Sequence, residues 1–445
     1  MSRRTVVAVV LSFPLFTACG ADGTLSPGAV PAPTFAVDPA ARAEVVSMTL
    51  LPQPASTVDG SSANDVNDAG TIVGWAFGPA IQDSRAVLWR DGALTVLPSP
   101  PPYFFTQAIA ISPNGSTIVG RVGGESTGSR PARWTSLAQG PEIYPAGSIF
   151  LGSESGAANG VNDAGQIAVA FNQGGLPTFR RYPALWSGTA FTDLAPGESS
   201  GSAFDINNAG QVVGTLPAGP FLWQSGTTVI LPALGGESLA ASINAGGTVA
   251  GRTGSRAVLW RSGALQLLSD IPTGGEAADI NDHDQVVGSQ NGRAFFWQAG
   301  GAMIDLGPGA ARAINNAGLV VGFAVAGGAS RAAAWKLNFA PVARVSGPEE
   351  ARKRIPLTFS AAGTTDQNGD VITYTWDFGD GSTGTGATVT HSYEKQGTYT
   401  VTVTVRDPRG LTSSASIDVS VENAKKPKKD NGNTGNNGNN GNGPK

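Results

Sequence analysis

Carboxylates are the main chemistry this sequence can offer. It carries 33 aspartates and glutamates but only two histidines, His283 and His391, and one cysteine, Cys19. That inventory argues against His-dependent catalytic sets, zinc fingers and disulfide frameworks. Paired acids remain, and two carboxylates facing each other across a cleft can cleave a glycosidic bond. Glu125, Glu154, Glu198, Glu237 and Glu276 lie in segments between repeated units, and such an enzyme would need two of them to converge. A second chemistry is cation binding. Asp366-Gln-Asn368-Gly-Asp370 gathers two carboxylates and an amide, the oxygen donors calcium takes, with a solvated turn as the plainer reading. A third is aromatic contact with a sugar or protein ligand. Tyr103, Phe105, Tyr144 and Tyr182, with Phe104 and Phe150, crowd the longer early repeats, where extra residues must enter loops.

The elements that must position these groups are short and numerous. Charged residues make up 14% of the 445 residues, against about 25% in ordinary domains, and there are 61 glycines and 30 prolines. This composition suits many short strands joined by turns, and it excludes coiled coil and collagen. A net charge of −4 provides no overall basic surface for nucleic acid. After the N-terminus no apolar run is long enough to span a bilayer.

One unit recurs seven times. It reads D-V-N-D-A-G-T-I-V-G at 65–74, A-I-S-P-N-G-S-T-I-V-G at 110–120 and G-V-N-D-A-G-Q-I-A-V at 160–169. The remaining copies are D-I-N-N-A-G-Q-V-V-G (205–214), S-I-N-A-G-G-T-V-A-G (242–251), D-I-N-D-H-D-Q-V-V-G (279–288) and A-I-N-N-A-G-L-V-V-G (313–322). Each is followed by a tryptophan: Trp89, Trp134, Trp186, Trp223, Trp260, Trp297 and Trp335, at intervals of 45, 52, 37, 37, 37 and 38 residues. The Asn-Asp-Ala-Gly element predicts a type I turn ending in a left-handed residue, glycine in six units and Asp284 in the sixth. β-Branched residues, a Leu/Phe-Trp strand and a further short strand follow. Four strands in about 40 residues is the size of one propeller blade. The last unit lacks its fourth strand, and V-V-S-M-T-L-L-P at 45–52 matches the A-L-T-V-L-P of unit one. The N-terminal strand is therefore expected to complete the last blade and close the ring, removing two bare edges.

The repeat resembles the bacterial extracellular HAF family, named for a His-Ala-Phe run before Leu-Trp. The match here is Arg293-Ala294-Phe295-Phe296-Trp297, with arginine at the histidine position. Arg85, Arg130, Arg256 and Arg331 occupy comparable places before their tryptophans. The resemblance implies a secreted repeat protein over 44–339 and carries no catalytic residue. Calcium binding by the D-x-N-x-x-G turns is disfavoured, because most positions are neutral and Val or Ile stands where a terminal acid is needed.

From Pro341 the pattern becomes strict alternation. Ile372, Tyr374, Trp376 and Phe378 fall on one face, as do Tyr399, Val401, Val403 and Val405, with threonines between them. Trp376-Asp-Phe-Gly-Asp-Gly-Ser382, Tyr393 and Gly397-Thr-Tyr-Thr-Val401 are similar to a PKD domain of Ig-like fold, which implies a spacer or binding module.

At the N-terminus, Arg3 and Arg4 precede the apolar run 5–16, and L-F-T-A-C-G follows. This is a secretory signal that resembles a bacterial lipobox, with Cys19 as the lipidated residue and ordinary signal cleavage as the alternative. The expected organisation is a signal peptide at 1–19, a flexible linker at 20–43, a propeller at 44–339, a PKD domain at 340–423 and a Lys/Asn/Gly tail at 424–445. The fold class is all-β, a seven-bladed β-propeller followed by an Ig-like sandwich. The expected function is that of a non-catalytic lipoprotein of the outer membrane or cell surface, or otherwise a secreted protein. It would be a monomer binding extracellular polysaccharide or a surface protein, touching membrane through its lipid, without nucleic acid and without any cofactor beyond calcium in the PKD domain. The alternative is a polysaccharide-degrading propeller hydrolase or lyase with paired carboxylates.

Overall fold

A computed structural model describes residues 43–423 except 55–59, 78–82, 100, 102, 125–127, 145–154, 174–179, 189 and 269–272. Cys19, the signal and the tail lie outside the described residues, as do nearly all of the linker, Glu125, Phe150 and Glu154. Every element described is a strand or bridge, and no described helix is long and apolar enough to cross a membrane.

Units one to five each form a four-stranded antiparallel sheet in chain order. Unit four is representative, with Ser202–Ile206, Val212–Leu216, Gly219–Gln224 and Thr227–Ile230. Units one, two, three and five form separate sheets of the same order. Units six and seven share one seven-stranded sheet through the long strand Ile304–Ile314. Gly307 and Gly309 have positive φ there, and the strand changes partner between them, from Arg293–Trp297 to Leu319–Ala326. A Cβ on Gly309 would meet the Phe323 carbonyl at 2.1 Å, so only glycine fits at this bend.

The closing strand lies where the repeat pattern requires it. Ala43–Leu50 pairs antiparallel with Ala329–Phe339, from Ala43 opposite Phe339 to Leu50 opposite Ala333. It supplies the fourth strand of unit seven, which puts the chain's first described strand and the last strand of the repeat region side by side.

Two side chains of the repeat fasten neighbouring units. The first is the asparagine that opens the turn. Its Oδ1 caps its own turn, as where Asn207 accepts from Gln211 N at 3.1 Å. Its Nδ2 donates to the equivalent carbonyl of the next unit. The chain of donors runs Asn162 to Asn207 (3.1 Å), then Asn244, Asn281 and Asn315, and finally to the Asn67 carbonyl (3.0 Å for each of these four). The last step carries unit seven back to unit one. These asparagines are buried. The second fastener is the tryptophan of units one, two, five and seven, whose indole N–H donates to a carbonyl at the end of the preceding unit's fourth strand. Trp89 reaches Pro52, Trp134 Pro98, Trp260 Pro232 and Trp335 Leu306, at 2.7, 3.0, 2.8 and 2.9 Å. All four indoles are buried.

A bulge in each unit's first strand explains the glycine that ends V-V-G. In unit four the register shifts between Ala203 and Asp205, which drives the Ser202 carbonyl to 1.9 Å from where a Gly214 Cβ would stand. In unit six Asp284 takes the left-handed turn position at φ 57°. Its carboxylate offsets the strain by accepting from Asn244 Nδ2 at 2.9 Å and pairing with Arg261 at 2.9 Å.

The C-terminal module has a five-stranded sheet, ordered Glu350–Arg352, Thr412–Glu422, Gly397–Arg406, Thr373–Asp377 and Thr383–Thr385. Leu357–Ser360 pairs separately with Thr388–His391. Between them Phe359, Trp376, Phe378, Tyr393, Val401, Val403 and Val405 form the core, as the alternation predicts. Tyr393 Oη donates to the Phe378 carbonyl at 3.0 Å, which removes the cost of burying its hydroxyl.

The inter-unit asparagine makes a direct prediction. Asn315→Ala leaves the Asn67 carbonyl and the Leu319 N–H without their side-chain partner and should cost about 1–3 kcal/mol. Chemical denaturation reads this, and a loss below about 0.5 kcal/mol would show that the fastening is dispensable.

Candidate functional site

The two ends of the units differ in kind. At one end the first and second strands join through the Asn-x-x-Gly turns, whose exposed acids and amides link from unit to unit. Asp163 N donates to Asn208 Oδ1 at 2.9 Å, Asp282 N to Asn316 Oδ1 at 2.9 Å, and Asn316 N to Asp68 Oδ1 at 2.9 Å. The repeat's own polar residues are thereby committed to each other. The opposite end carries the starts of the first strands and the turns between second and third strands. There a cleft of about 530 Å³ opens between units four and five, lined among others by Arg181, Ser200, Ser202, Thr215, Glu237 and Arg252.

Arg252 sits between two acids, with Nη2 3.4 Å from Glu237 and Nε 3.5 Å from Glu276. These are two of the five glutamates that could have formed a carboxylate pair. The structure brings them toward one another, but across a shared guanidinium. Glu198 is not with them. Its backbone carbonyl accepts from Arg180 Nε at 2.6 Å.

Three other carboxylates converge, and the sequence reading did not single them out. Asp65, Asp205 and Asp279 occupy the position after the bulge in units one, four and six. Each accepts a backbone N–H from the next unit: Ile111 at 2.8 Å, Ile243 at 2.9 Å and Ile314 at 2.8 Å. Ser242 Oγ bridges two of them, 3.0 Å from Asp205 and 2.5 Å from Asp279. Burial pushes the Asp65 carboxyl up to about 8, against its backbone hydrogen bonds, with Asp279 and Asp205 adding repulsion. Burial likewise raises Asp279 to about 6 and shifts Asp205 upward. The signal was present as D-V-N and D-I-N at 65, 205 and 279. It reads as turn chemistry until the bulge turns these side chains toward one another.

Of the four aromatics expected at a ligand face, Tyr144 and Tyr182 are buried and Tyr103 and Phe105 partly so. Tyr144 and Tyr182 are 3% and 2% exposed and belong to one core cluster with Trp186 and Phe171. Tyr144 lies 4.7 Å from Trp186, and Tyr182 takes Arg180 over its ring at 5.0 Å. Tyr103 packs on the core between units one and two. Phe105 is half-buried with Arg121 over its ring at 5.2 Å. Tyr144 and Tyr182 turn their rings inward, because large apolar surface is worth more buried than displayed.

In the C-terminal module the predicted cation ligands are rearranged. Asp366 Oδ1 accepts from Asn368 N and Asp370 N, at 2.9 and 3.1 Å. The Asn368 amide turns away, accepting from Phe339 N at 2.7 Å and donating to the Leu337 carbonyl at 3.0 Å. Its place beside the two acids is taken by Asp407, and carboxylate oxygens of Asp366, Asp370 and Asp407 lie within 4.8 Å of one another. Asp366 Oδ2 is buried with no hydrogen-bond partner. Its carboxyl is held above the usual range, chiefly by burial and further by the Asp370 and Asp407 charges. The donor set is all oxygen and suits a hard cation. Asp407 is far off in sequence and begins an ordinary Asp-Pro-Arg-Gly turn, so nothing in its context marked it.

With that geometry in place, the relationships are local. Residues 338–421 match the family model described as PKD domain. The C-terminal module is a PKD domain. It is 39% identical over 84 residues to a microbial collagenase of Vibrio alginolyticus, covering 19% of this chain and 10% of that protein. The chain spans a tenth or less of the length of the curated relatives it matches. Among solved structures, the PKD1 domain of the Vibrio cholerae metalloprotease PrtV is 35% identical, covering 19% of this chain and 99% of that one, with a TM-score of 0.17. The extracellular domain of a hybrid two-component system from B. thetaiotaomicron is 10% identical, over 85% of this chain and 57% of that one, with a TM-score of 0.42.

The raised carboxyls set a pH dependence. Below about pH 4 the folded and unfolded chains both hold these protons, and the groups contribute nothing. Between about pH 4 and 8 the unfolded chain ionises while Asp65 stays protonated, so stability falls as pH rises. The melting temperature should therefore drop by at least about 3 °C from pH 5 to pH 8. Asp65→Asn should flatten that slope whatever it does to absolute stability, and an unchanged slope would exclude Asp65 as its source.

Proposed function

We propose that the chain is a non-catalytic extracellular binding protein in which the seven units form a seven-bladed propeller of the HAF-repeat type. The PKD domain acts as its spacer, and Cys19 carries a lipid that holds it at the outer membrane or cell surface. The partner is an extracellular polysaccharide or a surface protein, bound by a monomer and without nucleic acid. The observation that carries this reading is the asymmetry of the units' two ends. The Asn-x-x-Gly end spends its polar groups on neighbouring units, while the opposite end holds an open polar cleft. Rigid strands presenting variable loops are a common base for recognition.

The disposition of the acids supports a non-catalytic role. Asp65, Asp205 and Asp279 accept backbone amides from adjoining units, and Glu237 and Glu276 share Arg252. A glycosidase pair needs one acid free to protonate a leaving group and another free to attack or to activate water.

The PKD domain is mounted on the propeller by polar contacts. Asn338 Nδ2 donates to Asp407 Oδ2 at 2.6 Å, Gln367 Nε2 donates to the Asn316 carbonyl at 3.0 Å, and Arg409 pairs with Glu44. Asp366, Asp370 and Asp407 would hold calcium at this junction, neutralising three crowded acids beside the last strand of unit seven.

A glycan array probed with the secreted chain tests the binding role. Retention on a defined polysaccharide with no new reducing ends is expected, and release of product would reverse the reading in favour of the enzyme. Calcium is tested separately by melting in excess Ca²⁺ and in EDTA. Calcium should raise the transition by at least about 3 °C, and Asp370→Asn should abolish the rise. Equal transitions in both would remove calcium from the account.

A further inference from the structure

Arg180 and Arg181 are neighbours with opposite fates. Arg180 is fully engaged, with Asp193 at 3.1 Å and the Glu198 and Ala195 carbonyls at 2.6 and 3.1 Å. Successive residues of a strand point to opposite faces, and Arg181 instead lines the cleft between units four and five. Among the described residues its guanidinium has no hydrogen bond or ion pair. Burial without a compensating acid holds it below its ordinary value. A half-buried guanidinium left unpaired is a cost that a bound anion would remove.

The rest of the lining narrows the ligand. Arg252 is a second guanidinium, and its buried Nε makes no hydrogen bond although Glu276 lies 3.5 Å away. Glu237 is the acid in the cleft, but its side chain is 92% exposed and leans on Arg252, so water screens it. Ser200 and Ser202 line the cleft with the glycines at 201, 219 and 236, and their hydroxyls have no partner among the described residues. Among the described residues no aromatic ring lines the cleft, and a neutral sugar or apolar ligand finds no such platform on them. A volume of about 530 Å³ falls in the usual small-ligand range of roughly 300–1,000 Å³.

We infer that this cleft binds an acidic saccharide, with the Arg181 fork taking a uronate carboxylate, Arg252 adding a second positive group, and Ser200 and Ser202 meeting the sugar hydroxyls. The inference deepens the proposed binding role and rests on it. It places the site on unit-four and unit-five loops and on Arg181, away from the aromatic early repeats.

Calorimetric titration of the full chain with digalacturonate, its uncharged counterpart digalactose and inorganic phosphate tests the site. Digalacturonate should bind at least tenfold more tightly than either probe, and more weakly in high salt. Arg181→Ala should lower that affinity tenfold or more with the melting temperature unchanged, and Arg181→Gln checks the result if the alanine variant is unstable. Equal binding of the two disaccharides, or phosphate binding as tight as digalacturonate, would overturn the acidic-saccharide assignment. Undiminished binding by both Arg181 variants would move the site elsewhere while leaving the platform role standing. A chain that binds no saccharide at millimolar concentration, here or on the array, would remove the carbohydrate reading together with the site.

Discussion

A buried asparagine amide that serves two units at once is the interaction on which this architecture depends. A short four-stranded sheet cannot cover both of its own faces, so each unit is stable only against its neighbours. Asn207 shows how the dependence is enforced. Its Oδ1 holds the turn that defines unit four, and its Nδ2 meets the carbonyl at the same position of unit five. Turn formation and unit docking therefore share one residue, and an error in either leaves a buried polar group unpaired at about 1–3 kcal/mol. The indoles of Trp89, Trp134, Trp260 and Trp335 act at the fourth strand of the preceding unit and add a second tie there.

The same demand accounts for the converging aspartates. A bulge in the first strand presses its backbone onto the next strand, where only glycine fits at Gly214, and it turns the following residue toward the interior. Where that residue is small, as at Ala110, Gly160 and Ala313, it fills little space. Where it is aspartate, it supplies an acceptor to an adjoining unit's backbone, and burial raises the proton affinity of all three acids, with repulsion from the others adding to it at Asp65 and Asp279. Fastening and pH sensitivity thus have one origin.

Much of this was legible in the residues themselves. The recurrence of N-x-x-G and tryptophan counts the units, the missing fourth strand after Trp335 points to Val45–Pro52, and the Trp376 and Val401–Val405 alternation marks a sandwich. Such features are local, and each is tied to a period that the chain repeats. What escaped was non-local. Asp407 joins Asp366 only because two turns of the module meet. Asn368, which looks like a ligand beside two acids, is drawn off by Phe339 and Leu337 across the junction. Tyr144 and Tyr182 sit in long segments that suggest exposure, yet they fill the core beside Trp186. Composition reveals that an aromatic is present, whereas only packing decides which way it faces.

The junction with the PKD domain adds a constraint that neither part has alone. Glu44 lies on the strand that closes unit seven, is 5% exposed, and pairs with Arg409 of the PKD domain. Asn338, on the strand beside it, donates to Asp407 at the start of the turn that holds Arg409. The module therefore grips both strands at the seam where Ala43–Leu50 meets Ala329–Phe339. A closing strand supplied from the far end of the chain is the one element of unit seven not joined to it by a short turn, and its loss would bare the edge of Ala329–Phe339. Clamping it through Glu44 raises the cost of that opening. A spacer that merely held the seven units at a distance would need no such grip. Docked in this way, the PKD domain bears on the integrity of the seven-unit region as well as on its reach.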